Sequence, residues 1–182
     1  MADVYVRIAV PNNQTNASSG DYDSIGHYDL IIDQEIDFGG HFGIPTGDSS
    51  VSMVRPVFSW GTDNNLTIKP LADANIKSGC TYYKWHFSVS QTDIENLLNS
   101  FDSVCNTTTS ASNQLIQFRP TGSFNAYSIY DKNCFVAVSV WMNALGIVNL
   151  SDIVSGSLSR RMYTRVLYTQ VGKFVGWPIV SL

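Results

Sequence analysis

No cysteine pair in this chain has CxxC spacing, no two histidines stand as HxxxH or HExxH, and each residue type occurs three times. A zinc site of the usual kind has nothing to build on, and three cysteines are too few for a disulfide framework. Walker A and GxGxxG loops are missing too; the glycine-rich "GGHFGIPTG" at 39–47 matches neither phosphate-binding pattern. No metal and no cofactor are expected.

Charge is scarce. Charged residues make up 14% of the chain, with 11 basic against 15 acidic side chains and a formal net charge of −4. The basic residues are scattered apart from Arg160-Arg161, so nucleic acid is not an expected partner. No apolar stretch is long enough for a membrane-spanning helix, and stable membrane insertion is not expected. The opening "MADVYVRIAVPNN" lacks a basic start followed by an apolar run. It suits a strand better than a signal peptide. The expectation is a soluble protein made in the cytoplasm, with export by a route that leaves no N-terminal mark still open.

What is present is a globular composition: 44% hydrophobic residues over 182 positions, enough for one domain, 1–182, with a real core. Alternation predicts strands over 5–10, 26–33, 54–61, 80–89 and 115–120. Polar, turn-rich stretches predict loops over 12–24 and 106–113, and 62–79 is expected to be irregular. Ser90 and Asp93 form a capping-box pattern ahead of Ile94, Leu97, Leu98 and Phe101, which predicts a helix from 91 to about 103. A second helix is expected after Asn133 or Asp131, with Phe135, Val138, Trp141, Met142 and Leu145 at helical spacing and Gly146 as its stop. A third short helix over 149–163 and a strand-like tail complete the reading.

Cys134 falls in the first turn of that second helix. Unbonded amides and the positive end of the helix dipole favour a thiolate there, whereas a packed core cysteine is the blander alternative. A nucleophilic cysteine needs a base, normally histidine. His27 opens an alternating strand directly after Gly26. His41 stands among glycines in what reads as a mobile loop, a poor place to fix an imidazole. His86 is mid-strand between Trp85 and Phe87, which favours a structural or exposed role.

The order "GHYDLIID", "VFSWG", "YYKWHFSVSQTDIENLLNSF" and "YSIYDKNCFVAVSVWMNALGI" resembles the circularly permuted branch of the NlpC/P60, papain-like superfamily, over roughly residues 4–148. The pattern is most similar to that of bacterial cell-wall amidases and endopeptidases delivered by type VI secretion. The resemblance implies an α+β, permuted papain-like fold, an antiparallel sheet packed against a helix that starts at the catalytic cysteine. It implies a cysteine hydrolase acting on amide bonds of peptidoglycan peptides, secreted as an antibacterial toxin and active in the target-cell periplasm. An immunity protein is an implied partner. Cys134 is then the nucleophile and His27 the general base.

Family members carry a third polar residue on the next strand, here "VFSWGTD". Ser59, Gly61 and Asp63 share one face of it. Asp63 has the better chemistry for orienting an imidazole, and Ser59 fits the strand better; both stay open. Phe135, where many relatives have a small or hydroxyl residue, and the long insert 34–53 depart from the pattern. Trp60, Trp85, Tyr127 and Tyr130 are candidates to line a groove, although such aromatics more often form core. An LRAT-like acyltransferase or thioesterase and a non-enzymatic β-rich binding module are the competing functions.

Cys80 and Cys105 flank a strand and a helix that, packed antiparallel, would end side by side. A bridge there needs Cα atoms within about 7 Å, and two unbridged thiols are the favoured expectation.

Overall fold

The computed structural model describes residues 1–11, 26–61, 63–74, 79–122, 126–127, 133–147 and 175–176. In chain order these give β1 (Ala2–Pro11), β2 (His27–Ile32), β3 (Glu35–Asp37), β4 (Ser52–Val54), β5 (Pro56–Trp60), β6 (Leu66–Pro70), β7 (Cys80–Val89), α1 (Gln91–Val104), β8 (Cys105–Ala111), β9 (Ile116–Pro120), α2 (Cys134–Ala144) and β10 (Val175–Gly176). Eight of the strands form one sheet in the order β10-β7-β1-β2-β5-β6-β9-β8, and every pairing in it is antiparallel. The fold class is α+β. The expected loop 12–24, Tyr130, the helix over 149–163 and most of the tail lie outside the described residues.

Period-two alternation decides which face of the sheet is covered. Val4, Val6 and Ile8 of β1, Tyr28, Leu30 and Ile32 of β2, and Phe58 and Trp60 of β5 are buried together with the inward sides of both helices. Aromatic rings knit this layer. Phe58 stacks on Phe101 of α1 with centroids 5.2 Å apart, and Phe101 meets Trp141 of α2 edge-on at 5.3 Å. Trp60 and Trp85 belong to this core; Tyr127 packs edge-on against Trp60.

The two helices form for different reasons. α1 has one apolar stripe, Ile94, Leu97, Leu98 and Phe101, and starts in the expected capping box: Ser90 Oγ accepts from the Asp93 amide at 3.1 Å, and the Asp93 carboxylate accepts from the Ser90 amide at 3.0 Å. α2, rich in β-branched valine, has little helix propensity and is apolar nearly all round. Burial against β2, β5 and α1 holds it. Gly146, at φ 72°, ends it in a Schellman motif, with Gly146 N–H on Asn143 O and Ile147 N–H on Met142 O.

Four strands depart from expectation. β6 has only two apolar positions, Leu66 and Ile68, between turn residues, so its alternation is too short to stand out. β8, "CNTTTSA", is polar because it borders the sheet and has little to bury; its β-branched threonines suit an exposed strand, and its register slips twice against β9. β3 and β4 pair inside the 34–53 insert. The loop they carry is far from loose, since Phe38, Phe42, Ile44 and Val51 are all buried.

The Cys80–Cys105 bridge does not form. The two residues belong to β7 and β8, six strand steps apart in the sheet order, because β8 crosses over after α1 to pair with β9.

Candidate active site

Asn133 caps α2. Its backbone is extended, it is fully buried, and its side-chain oxygen accepts from the amides of Phe135 and Val136, both at 3.1 Å. This cap makes Cys134 the first helical residue. Cys134 is itself fully buried. Its sulfur accepts a hydrogen bond from the backbone N–H of Tyr28 at 3.4 Å. That amide is available because the ladder between β2 and β5 covers only Leu30–Phe58 and Ile31–Val57. Beyond that point the helix start takes the place of the neighbouring strand. A donated N–H and the helix dipole favour negative charge on the sulfur; burial opposes it.

His27 is the next residue back along β2. Gly26 before it is buried at φ 90°, a backbone geometry that favours glycine and sets where the strand begins. Strand parity sends the His27 side chain to the same face as Asp29, away from the face that packs on α2. There Nε2 lies 2.8 Å from Ser59 Oγ on β5. Of the two residues weighed for orienting the ring, Ser59 is therefore in contact with it. Asp63 is not: its carboxylate closes its own turn, accepting from the Asn65 amide at 3.1 Å and from the Asn65 side chain at 3.2 Å. An Asx turn satisfies Asp63 locally, which its better imidazole chemistry could not reveal.

His41 corrects another expectation. It is 9% exposed, and its Nδ1 lies 2.6 Å from Asp102 Oδ2. The other oxygen of Asp102 accepts the Phe42 amide at 2.8 Å. The ring is thus well fixed, as a fastener between the insert and α1. The signal available in the sequence was Asp102 itself, an acid in the last turn of a helix, where the dipole disfavours it unless a partner compensates. His86 is half-exposed, bonded to Asp3 at 2.8 Å and stacked on Tyr5 at 4.9 Å.

Sequence reasoning missed two residues at the site. Tyr28 lies beneath Cys134, edge-on to Phe135 at 5.2 Å; burial first, and the nearby Cys134 second, push its phenol well above the usual tyrosine range. Arg7 faces Asp29 across the β1–β2 ladder in a buried ion pair. Both Arg7 and Asp29 interrupt otherwise apolar alternation, which is the signal a cross-strand pair leaves. Beside His27 and Ser59 they line a pocket of about 210 Å³.

Among the described residues no group of histidine, cysteine and acidic side chains could hold a metal ion, and no helix is long and apolar enough to cross a membrane. No protein-family model, no curated protein and no solved structure matches the chain.

Proposed function

We propose that this protein is a cysteine hydrolase of the permuted NlpC/P60, papain-like kind, cleaving amide bonds in peptidoglycan peptides. The observation that carries the reading is the junction of α2 with β2. A cysteine in the first turn of a helix accepts the amide of Tyr28, the residue after a histidine whose ring is held by Ser59. Cys134 is the nucleophile, His27 the general base, and Ser59 the positioning residue.

In this mechanism Nε2–H of His27 donates to Ser59, which leaves the basic lone pair on Nδ1. Because the sulfur sits on the Tyr28 amide at the edge of β2, on this reading the imidazole has to reach it around that edge from the other face of the sheet; there it takes the thiol proton and Cys134 attacks the amide carbonyl. The backbone N–H of Cys134 stabilises the oxyanion of the tetrahedral intermediate. On collapse the C–N bond breaks and the imidazolium gives its proton to the leaving amine. Water, deprotonated by His27, then attacks the thioester, releasing the acid and restoring the thiol. By the same resemblance the protein acts in the periplasm of a target bacterium after secretion, and an immunity protein neutralises it in the producer.

Mass spectrometry of peptidoglycan fragments after incubation with wild type and with Cys134→Ala tests this. New amine and carboxylate ends are expected with wild type alone; fragments identical in both reject the hydrolase.

One observation favours a second reading. Cys134 is fully buried among apolar neighbours, as an inert core cysteine would be. The protein would then be a β-rich binding module, and the thiol would resist alkylation in the folded state.

A further inference from the structure

The sheet face turned away from the helices has an unbalanced charge. Its pocket is lined by Arg7, Asp29 and Lys69 together with His27, Ser59 and Thr67. Asp29 is the one acidic side chain among the described lining residues, and Arg7 occupies it fully: Nε donates to Oδ1 at 2.9 Å, and Nη2 donates to Oδ2. Arg7 is 5% exposed, and its remaining nitrogen, Nη1, is buried with no acceptor among the described residues. A buried donor in that state is costly, so the pocket is short of an oxygen. Lys69 makes no ion pair or side-chain hydrogen bond among the described residues. Among the described lining residues, two cations against one carboxylate leave one surplus positive charge, in a chain whose formal net charge is −4. Ser59 and Thr67, opposite each other on β5 and β6, add two hydroxyls.

We propose that this pocket binds a carboxylate of the peptide substrate. Lys69 supplies the charge and Arg7 Nη1 the donor in need of an acceptor, while the Thr67 hydroxyl beside them leans on the Ser59 carbonyl at 3.5 Å. A carboxylate has two oxygens to offer these two cationic groups, and its charge matches the surplus. That the carboxylate belongs to a peptide rests on the amide-hydrolase reading; that the pocket takes a carboxylate does not. Because Ser59 touches both the pocket and His27, a ligand held there borders the ring that moves the proton.

The test is a titration of the folded Cys134→Ala protein at constant ionic strength, followed through backbone amide shifts. The probes are N-acetyl-D-alanyl-D-alanine and its C-terminal amide, which differ by one carboxylate. The acid is expected to shift amides within 27–29, 57–59 and 67–69. The amide probe is expected to bind at least about 10-fold more weakly, and Lys69→Met to raise the acid's Kd by about 10-fold or more. Equal binding of acid and amide, an unchanged Kd in Lys69→Met, or no shift with the acid at tens of millimolar overturns the inference. Lys69 is partly exposed and its side chain has no bonded partner among the described residues, so its replacement is expected to leave the fold intact. A positive titration with undigested peptidoglycan removes the hydrolase and leaves the carboxylate site; digestion with no carboxylate preference does the reverse.

Discussion

The backbone N–H of Tyr28 donates to the sulfur of Cys134 across 3.4 Å, joining residues 106 positions apart in the chain. The bond fixes the start of α2 against the start of β2, and so sets a thiol beside the strand end that presents His27. It also sets an unusual condition for reactivity, because the thiol is favoured as an anion by its donor and helix end while being the most buried of the three cysteines.

Alkylation separates these influences. Cys80 and Cys105 are half-buried and Cys134 is fully buried, so exposure alone ranks Cys134 last. A nucleophile ranks first. Iodoacetamide at a pH below the free-thiol value of about 8.5 is expected to label Cys134 fastest. Peptide mapping after brief exposure checks this, and a labelling order that follows exposure excludes the nucleophile.

On the hydrolase reading, replacement of His27 and its partner has a graded outcome. His27→Ala is expected to lower amide cleavage by about 10²–10⁴-fold. Ser59→Ala is expected to lower kcat with KM nearly unchanged, by less than His27→Ala does. Asp63→Asn is expected to leave the rate unchanged, since among the described residues its carboxylate serves only its own turn. A loss in Asp63→Asn with none in Ser59→Ala would reverse the assignment.

The His41 fastener belongs to stability. Asp102→Ala leaves the Phe42 amide and the His41 ring without their acceptor. Unfolding in urea is expected to show a loss of about 1–3 kcal/mol, with the cleavage rate per folded molecule preserved. A dead but fully stable variant would instead place His41 in the chemistry.

Acid should weaken the fold through the α1 cap. Bonds from the Ser90 hydroxyl and amide hold the Asp93 carboxyl below its ordinary value of 3.8. Near and below that value the unfolded chain binds the proton first, so stability falls with falling pH. The stabilisation from Asp93 is complete well above 3.8 and disappears as pH drops through the lower folded value. Denaturation curves of wild type and Asp93→Asn should differ by a constant amount from pH 5 to 7 and converge below pH 3.8. A gap that widens on acidification contradicts the cap.

Tyr28 behaves oppositely at high pH. Its raised folded value means that above about pH 10 the unfolded chain loses the phenolic proton while the folded one keeps it. Stability is complete below that pH and falls as pH rises toward the folded value. Tyr28→Phe should flatten this fall. Its Oη has no partner among the described residues, so the substitution is expected to be neutral or stabilising at pH 7. A marked destabilisation at pH 7 would reveal a bonding role for the hydroxyl.

Periodicity and caps made much of this legible. β7 and α1 fall where alternation, the Ser90–Asp93 box and the Ile94–Phe101 stripe place them, and α2 begins at Cys134 because Asn133 is a strong cap. The His27 strand and its antiparallel partner were equally plain. Pairings between distant strands were not. Nothing local in "LTIKP" of β6 announces β9 as its neighbour, and the Cys80–Cys105 proximity failed because it assumed a compact strand–helix unit where the chain crosses the whole sheet. Side-chain choices at the site were hidden for a similar reason: Ser59 against Asp63 turns on which one a tight turn has already satisfied, and His41 against a mobile loop turns on Asp102, sixty-one positions away.

The 106-residue span between Tyr28 and Cys134 also sets an order in time. Synthesis proceeds at about 5–20 residues per second, so β2 precedes its thiol partner by about 5–20 s. During that interval the imidazole and its serine can meet, since both lie on early strands, while the sulfur does not yet exist. Closing so long a loop is also slow relative to the local hairpins. The ribosome-bound chain therefore carries the His27–Ser59 pair without Cys134, and the junction is completed late in its manufacture.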